Sequence, residues 1–138
     1  MASELAILDT GAILAFLSRR DRFHMWAVAA FKKLPANLIT CEAVLSELFF
    51  LLKSYPPGAE SVIQMLQGGS LKVLSLNQEL DSITNLMRKY SDVPMSFADA
   101  CLVRIAELST RGIVVTLDSN FKTYRLKKNQ KVSLMMPD

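Results

Sequence analysis

Leu5 to Leu8 is an unbroken apolar run that stops at Asp9-Thr10-Gly11, the mark of a buried strand handing over to a helix. Ala12 to Leu17 then reads as helix, and the polar cluster Ser18-Arg19-Arg20-Asp21-Arg22 breaks it. Apolar residues return at helical spacing from Phe23 to Leu34, where Pro35 ends the segment. Asn37 to Ile39 is a short strand candidate, followed by Thr40 as N-cap of a helix over Cys41 to Lys53. Pro56-Pro57-Gly58 closes that segment and Ala59 to Gln67 is the next helix, ended by Gly68-Gly69. Leu71 to Leu76 predicts a strand and Gln78 to Tyr90 a helix. Ser96 opens a further helix that runs to about Thr110, with Gly112 beyond its end. Ile113 to Leu117 and Val132 to Met136 supply the last two strands.

Strands that are apolar throughout and alternate with helices indicate a parallel sheet covered on both faces. The predicted fold is therefore a three-layer α/β/α sandwich with a short parallel sheet. At 138 residues, with no repeat and no long linker, the chain is expected to form one domain over residues 1–138.

That architecture directs attention to acids at strand ends, because open parallel sheets bind ligands beyond the carboxyl ends of their strands. Asp9 and Asp118 both hold such positions. Two more acids sit among apolar helical neighbours. Glu47 shares its stripe with Ala43, Val44 and Leu51, and Asp99 with Leu102, Val103 and Ala106, at about 100° per residue. Both are expected to point inward, Asp99 away from a solvated stripe of Arg104, Glu107 and Arg111. A carboxylate among apolar groups needs a partner, a proton or a metal, and neither inward stripe carries a basic residue. If all four gather within about 5–6 Å, they cannot all ionise without a cation. Oxygen ligands without clustered His or Cys select magnesium or manganese, which suits hydrolysis of a phosphodiester.

Taken singly, each acid also has a structural reading. Asp9 can cap the first helix, Asp99 can pair with Ser96 in a capping box, and Asp118 can shape the turn Asp118-Ser119-Asn120. For Glu47 such a reading requires the helix to turn its other face inward.

Composition adds bounds. The formal charge of +3 and pI near 9.0 suit a polyanionic partner without demanding one. Cys41 and Cys101 lie in apolar helical patterns with no CxxC, so they are expected to be buried reduced thiols, and His24 is assigned no role. Glu4 and Asp9 interrupt the apolar opening, and the most apolar stretch, Ala43 to Leu52, is too short to span a bilayer. No membrane association and a cytoplasmic location are the expectations.

The segments Leu8-Asp9-Thr10-Gly11-Ala12, Ser46-Glu47-Leu48, Pro94-Met95-Ser96-Phe97-Ala98-Asp99-Ala100 and Thr116-Leu117-Asp118-Ser119-Asn120-Phe121, in this order, resemble the PIN domain family and within it the VapC-like ribonuclease toxins. The resemblance covers nearly the whole chain. It implies a Mg2+- or Mn2+-dependent endoribonuclease in which Asp9, Glu47, Asp99 and Asp118 are the metal-site and catalytic acids, supported by Thr10, Ser96 and Asn120. It also implies a homodimer and an antitoxin protein partner. Ser96 stands where many relatives carry a further acid, and Asn120 where an acid or histidine is frequent, which weakens the case for a second metal.

Basic residues collect in two segments that can flank the expected crevice, with an ordinary solvated surface as the alternative reading. Arg19, Arg20 and Arg22 follow the first helix, and Lys122, Arg125, Lys127, Lys128 and Lys131 follow Asp118, as an RNA backbone nearing a carboxylate pocket requires. Phe23, Trp26, Phe31, Phe49 and Phe50 supply a surplus of aromatic surface to the early helices, for core packing first and a partner groove second. Two rivals remain. One is a catalytically silent PIN-fold module that binds RNA or protein. The other, a response-regulator receiver, wants adjacent acids near the first strand and a lysine ending a late one, and the sequence has neither.

Overall fold

The computed structural model describes residues 4–138. Its strands are β1 (Leu5–Leu8), β2 (Asn37–Thr40), β3 (Leu71–Val73), β4 (Gly112–Val115) and β5 (Leu134–Met135). The helices are α1 (Thr10–Leu17), α2 (His24–Phe31), α3 (Glu42–Leu51), α4 (Pro56–Gln67), α5 (Leu80–Lys89) and α6 (Phe97–Leu108). All strand pairs are parallel, in the order β3-β2-β1-β4-β5. The three-layer α/β/α sandwich expected from the pattern is the observed fold.

Strand order reverses between β1 and β4, so the switch point lies where these neighbours end. Leu8 pairs with Val115, and the ladder runs one step further as the Asp9 amide donates to the Val115 carbonyl at 3.0 Å. Register thus places Asp9 beside the residues that follow Val115.

The core is built on the apolar strands, with Ile7, Leu8, Val114 and Val115 fully buried beside Ile13, Leu48, Leu102 and Ile105. Phe121 and Tyr124 are also fully buried and meet edge to face at 5.1 Å, and Tyr90 meets Tyr124 at 5.1 Å in the same manner. This aromatic cluster anchors the segment after β4 and aims the Tyr124 hydroxyl at α6. Cys41 and Cys101 are buried and free, as expected. Burial and the neighbouring Cys41 push the Cys101 thiol up.

Several sequence expectations are corrected. Thr40 does not cap α3; it ends β2, and its buried hydroxyl donates to the Leu8 carbonyl at 2.9 Å, so Cys41 takes the cap position. Pro56 and Pro57 do not break the chain but begin α4, where a missing N–H costs nothing. A Cβ on Gly58 would come 2.7 Å from Tyr55 Cδ2 and 2.9 Å from Leu52 Cδ2, so glycine permits this tight entry. Arg104 is not on a solvated stripe. It is 9% exposed and bridges Glu79 at 2.8 Å and Glu107 at 3.1 Å, because α5 packs over that face of α6. Among the aromatics, Trp26, Phe31 and Phe49 pack against the core, whereas Phe50 is 66% exposed.

Candidate functional site

Asp9 follows β1 as the N-cap of α1 and does two things at once. One carboxylate oxygen accepts from the Thr10 amide at 2.8 Å, and the other accepts from the Thr116 hydroxyl at 2.6 Å. Only 8% of the residue is exposed. Burial raises its pKa from 3.8 to about 6 against the pull of the Thr116 and Thr10 hydrogen bonds, and the charges of Asp99 and Asp118 push the same way.

Asp99 lies in the first turn of α6 and is 9% exposed. Ser96 caps this helix by accepting from the Asp99 amide at 3.0 Å. The capping box stops there, since the Asp99 carboxylate accepts instead from the Tyr124 hydroxyl at 2.9 Å. Burial raises the Asp99 pKa, Tyr124 opposes the rise, and Asp118 and Glu47 add to it. Burial and Asp99 in turn push the Tyr124 phenol up.

Asp118 is half-buried two residues beyond Thr116. Its amide donates to the Thr116 hydroxyl oxygen at 3.0 Å, and its carboxylate accepts from the Asn120 amide at 2.9 Å, opening a short 3-10 turn over Ser119–Lys122. The turn-forming reading of Asp118 and the cap reading of Asp9 therefore both hold geometrically, alongside their place at the switch point.

Glu47 departs from expectation. Rather than pointing inward it is exposed, on the face of α3 that borders α1, and it accepts from the Thr10 hydroxyl at 2.9 Å. The apolar stripe of α3 turns Val44 and Leu48 into the core, and Glu47 sits at the rim of that stripe. It lines two open grooves, one with Thr10, Ser46, Phe50 and Leu51, the other with Ser96, Phe97 and Ala98.

The four acids influence one another, Asp9 responding to Asp99 and Asp118, and Asp99 to Asp118 and Glu47. They do not form the tight cluster expected from sequence: among the described residues no three Asp, Glu, His or Cys side chains converge closely enough to hold a metal ion as they stand. Like charges repel, and each acid has its own protein donor in Thr10, Thr116, Tyr124 or Asn120. The chemistry of the donor set still fits a hard divalent cation. The donors are carboxylate oxygens, and two of them are buried where ionisation is disfavoured without positive charge nearby.

Two residues of the site escaped the sequence reading. Thr116 bridges Asp9 and Asp118, and a lone buried threonine at the end of a β-branched strand was the available signal, since its hydroxyl needs a partner. Tyr124 carried no local signal, because it meets Asp99 only through the fold. Thr116→Val keeps the shape and removes the hydroxyl. Asp9 then loses a hydrogen bond that favours its charged form, so its pKa should rise above about 6. The midpoint of pH-dependent manganese binding, followed by calorimetry, is expected to move upward by about 1 unit, from a charged hydrogen bond of about 1.5 kcal/mol.

Of the basic residues, Arg19, Arg20, Arg22 and Lys122 are exposed, Arg22 over the Phe23 ring at 5.1 Å. Arg125 turns one guanidinium nitrogen onto the carbonyls of Lys122, Thr123 and Tyr124 at 2.8, 3.2 and 2.9 Å. Lys122 lies in the turn that Asp118 opens, whereas Arg19 and Arg20 lie beyond the far end of α1, whose length puts about 11 Å between Thr10 and Leu17. They do not share one rim. Among the described residues no helix is long and apolar enough to cross a membrane.

A comparison with curated proteins finds no match. Among solved structures, the fold is similar to the crystal structure of VapC20 of Mycobacterium tuberculosis, a sarcin-ricin-loop-cleaving toxin, with a TM-score of 0.76 at 17% sequence identity, over 86% of this chain and 93% of that one. The sequence matches the PIN domain over residues 6–127, which takes in all four acids, Thr116 and Tyr124, and the chain therefore belongs to the PIN domain family.

Proposed function

We propose that the protein is an endoribonuclease that hydrolyses RNA phosphodiester bonds with Mg2+ or Mn2+. The observation that carries this reading is the pair of buried carboxylates, Asp9 beyond β1 and Asp99 on α6, which feel the charge of Asp118 and, for Asp99, of Glu47. Asp9, Asp99, Asp118 and Glu47 would hold the ion. Bound there, a divalent metal supplies a water of lowered pKa and neutralises charge on the phosphate. The chain's own part is positional. Thr116 holds Asp9 and the Asp118 backbone in register, Tyr124 fixes the Asp99 carboxylate, and Thr10 steadies Glu47 at the groove. Ser96 caps α6 at the entrance, and the Asn120 amide orients Asp118.

The similar fold of a toxin that cleaves the sarcin-ricin loop supports RNA as substrate and a role as the toxin of a type II toxin-antitoxin pair. In this reading residues 1–138 form one PIN domain, homodimeric and cytoplasmic, restrained by an antitoxin protein. Incubation of purified protein with a mixed set of structured RNAs and Mg2+, Mn2+ or EDTA tests it. Cutting that needs the metal is expected.

The separation of the acids favours one second reading, a PIN-fold module that binds RNA or protein without cutting. Calorimetric titration with manganese separates the two. Absence of both metal binding and cleavage would leave the binding module standing.

A further inference from the structure

Cys41 and Cys101 are the chain's two cysteines, and the acid site uses neither. Cys41 is the N-cap of α3, Cys101 lies in the second turn of α6, and these helices pack against each other. The two thiols are neighbours on the floor of one pocket of about 170 Å³, where the residues are 2% and 3% exposed. The rim of this pocket is open: Leu74, Leu80 and Phe97 are 37%, 48% and 43% exposed, and Glu42 is exposed beside them. The pocket therefore leads from solvent to two sulfurs that the core otherwise covers.

A single buried cysteine is ordinarily a small apolar filler. Two side by side at the end of an open pocket have a further chemistry, because a sulfur oxidised next to a second thiol is captured by it. The two positions differ in kind. Cys41 heads a helix, where unpaired amides and the helix dipole favour a thiolate, and Cys101 beside it pulls the Cys41 thiol below its ordinary value against burial. The size of the pocket selects the oxidant. A water's share of the liquid is about 30 Å³, so the pocket takes a molecule of two oxygen atoms with room to spare, whereas a peptide disulfide such as oxidised glutathione is too large to enter.

We propose that Cys41 and Cys101 form an oxidation site at which hydrogen peroxide, or a hydroperoxide of similar size, joins the pair in a disulfide that staples α3 to α6. In the first step the Cys41 sulfur attacks one peroxide oxygen, the O–O bond breaks, and the departing hydroxyl leaves as water with the thiol's proton, giving a sulfenic acid. In the second the Cys101 sulfur attacks the Cys41 sulfur, the S–S bond forms as the S–O bond breaks, and the Cys101 proton leaves with the hydroxyl as a second water. The two sulfurs together give up two electrons, and the peroxide takes them. Because α3 carries Glu47 and α6 carries Asp99, the staple fixes the spacing of the helices that bear these two acids. The chemistry of the pair does not depend on whether the acids cut RNA.

The test uses the whole protein, reduced, freed of reductant and treated with a few equivalents of hydrogen peroxide, with thiols counted by alkylation in guanidinium and mass spectrometry. Both wild-type thiols are expected to disappear together within one chain, whose mass falls by two hydrogens, and to return with dithiothreitol. The bridge closes a loop of roughly 60 residues, so the melting temperature should rise by about 10 °C on oxidation, and a fall instead overturns the staple. In Cys101→Ser the reaction should stop at a Cys41 sulfenic acid, trapped by dimedone, whereas in Cys41→Ser the Cys101 thiol should stay reduced. Oxidised glutathione at equal concentration is expected to act at least about tenfold more slowly, since access limits exchange, and equal rates overturn the choice of oxidant. Thiols that survive peroxide in the folded protein but react once urea unfolds it overturn the site, as does a bridge between two chains or oxidation of each sulfur separately to a sulfinic acid. These wild-type outcomes stand whether or not either serine variant folds, and none of them bears on RNA cleavage, so the oxidation site and the nuclease reading fail separately.

Discussion

Asp9→Asn should abolish metal-dependent RNA cleavage, by at least about 1,000-fold, and at the same time make the metal-free protein more stable. The two effects have one origin. Folding raises the Asp9 pKa from 3.8 to about 6, so the folded state prefers the neutral carboxyl. At pH 7 the group is charged in both states, and holding that charge in the fold costs about 3 kcal/mol, from about 1.4 kcal/mol per pKa unit. The cost is present above pH 6, is relieved as pH falls through 6 toward 3.8, and is absent below. Metal-free wild type should therefore gain stability on acidification from pH 7 toward pH 4.5, and the rise in Asp99 acts in the same direction. Asparagine removes the charge but satisfies only one of the two hydrogen bonds from Thr10 and Thr116, which returns about 1 kcal/mol. A net gain of about 2 kcal/mol at pH 7 in urea unfolding is expected, with most of the acid-side gain gone. Lost activity together with lost stability would mean that Asp9 serves the fold and not a cation.

Arg104→Met should destabilise the fold markedly although it lies away from the acids. The guanidinium is 9% exposed and reaches Glu79 at 2.8 Å and Glu107 at 3.1 Å. Burial works against its charge, yet the two carboxylates more than offset this and raise its pKa. Methionine fills much of the same volume but leaves two acids facing each other without a cation. Breaking a buried ion pair from one side costs about 3–5 kcal/mol, and the partial exposure of Glu79 lowers the expected figure to about 2–3 kcal/mol. For a chain of this size that is a fall in melting temperature on the order of 10 °C. Because Arg104 stays clear of the site, manganese affinity should be unchanged below the transition. Adding Glu79→Gln and Glu107→Gln should recover part of the loss, and a loss that persists undiminished would assign Arg104 a packing role instead.

Arg104 and Glu47 also show where a one-dimensional pattern stops being informative. Both positions depend on what covers a helix face. Arg104 was placed on a polar stripe with Glu107 and Arg111, which is sound for an isolated helix beside a sheet, but α5 packs over that face and buries it. Glu47 was placed inward by its apolar neighbours, yet it lies at the edge of the stripe, where the boundary with α1 opens a groove.

The alternation of apolar strands with helices, the parallel sheet and the acids at the ends of β1 and β4 were determined by the sequence itself, because periodicity, breaker residues and strand-end position are local properties. Asp9, Asp99 and Asp118 were legible for the same reason: a carboxylate next to an apolar run is conspicuous wherever the chain goes. Thr116 beneath Asp9 and Tyr124 against Asp99 were decided by tertiary structure alone, the first across 107 residues and the second across 25. The donor that each acid found was decided there too. No local pattern encodes these contacts, because each depends on the register of β1 against β4 and on the aromatic cluster that seats Tyr124, and both exist only once the sheet has formed.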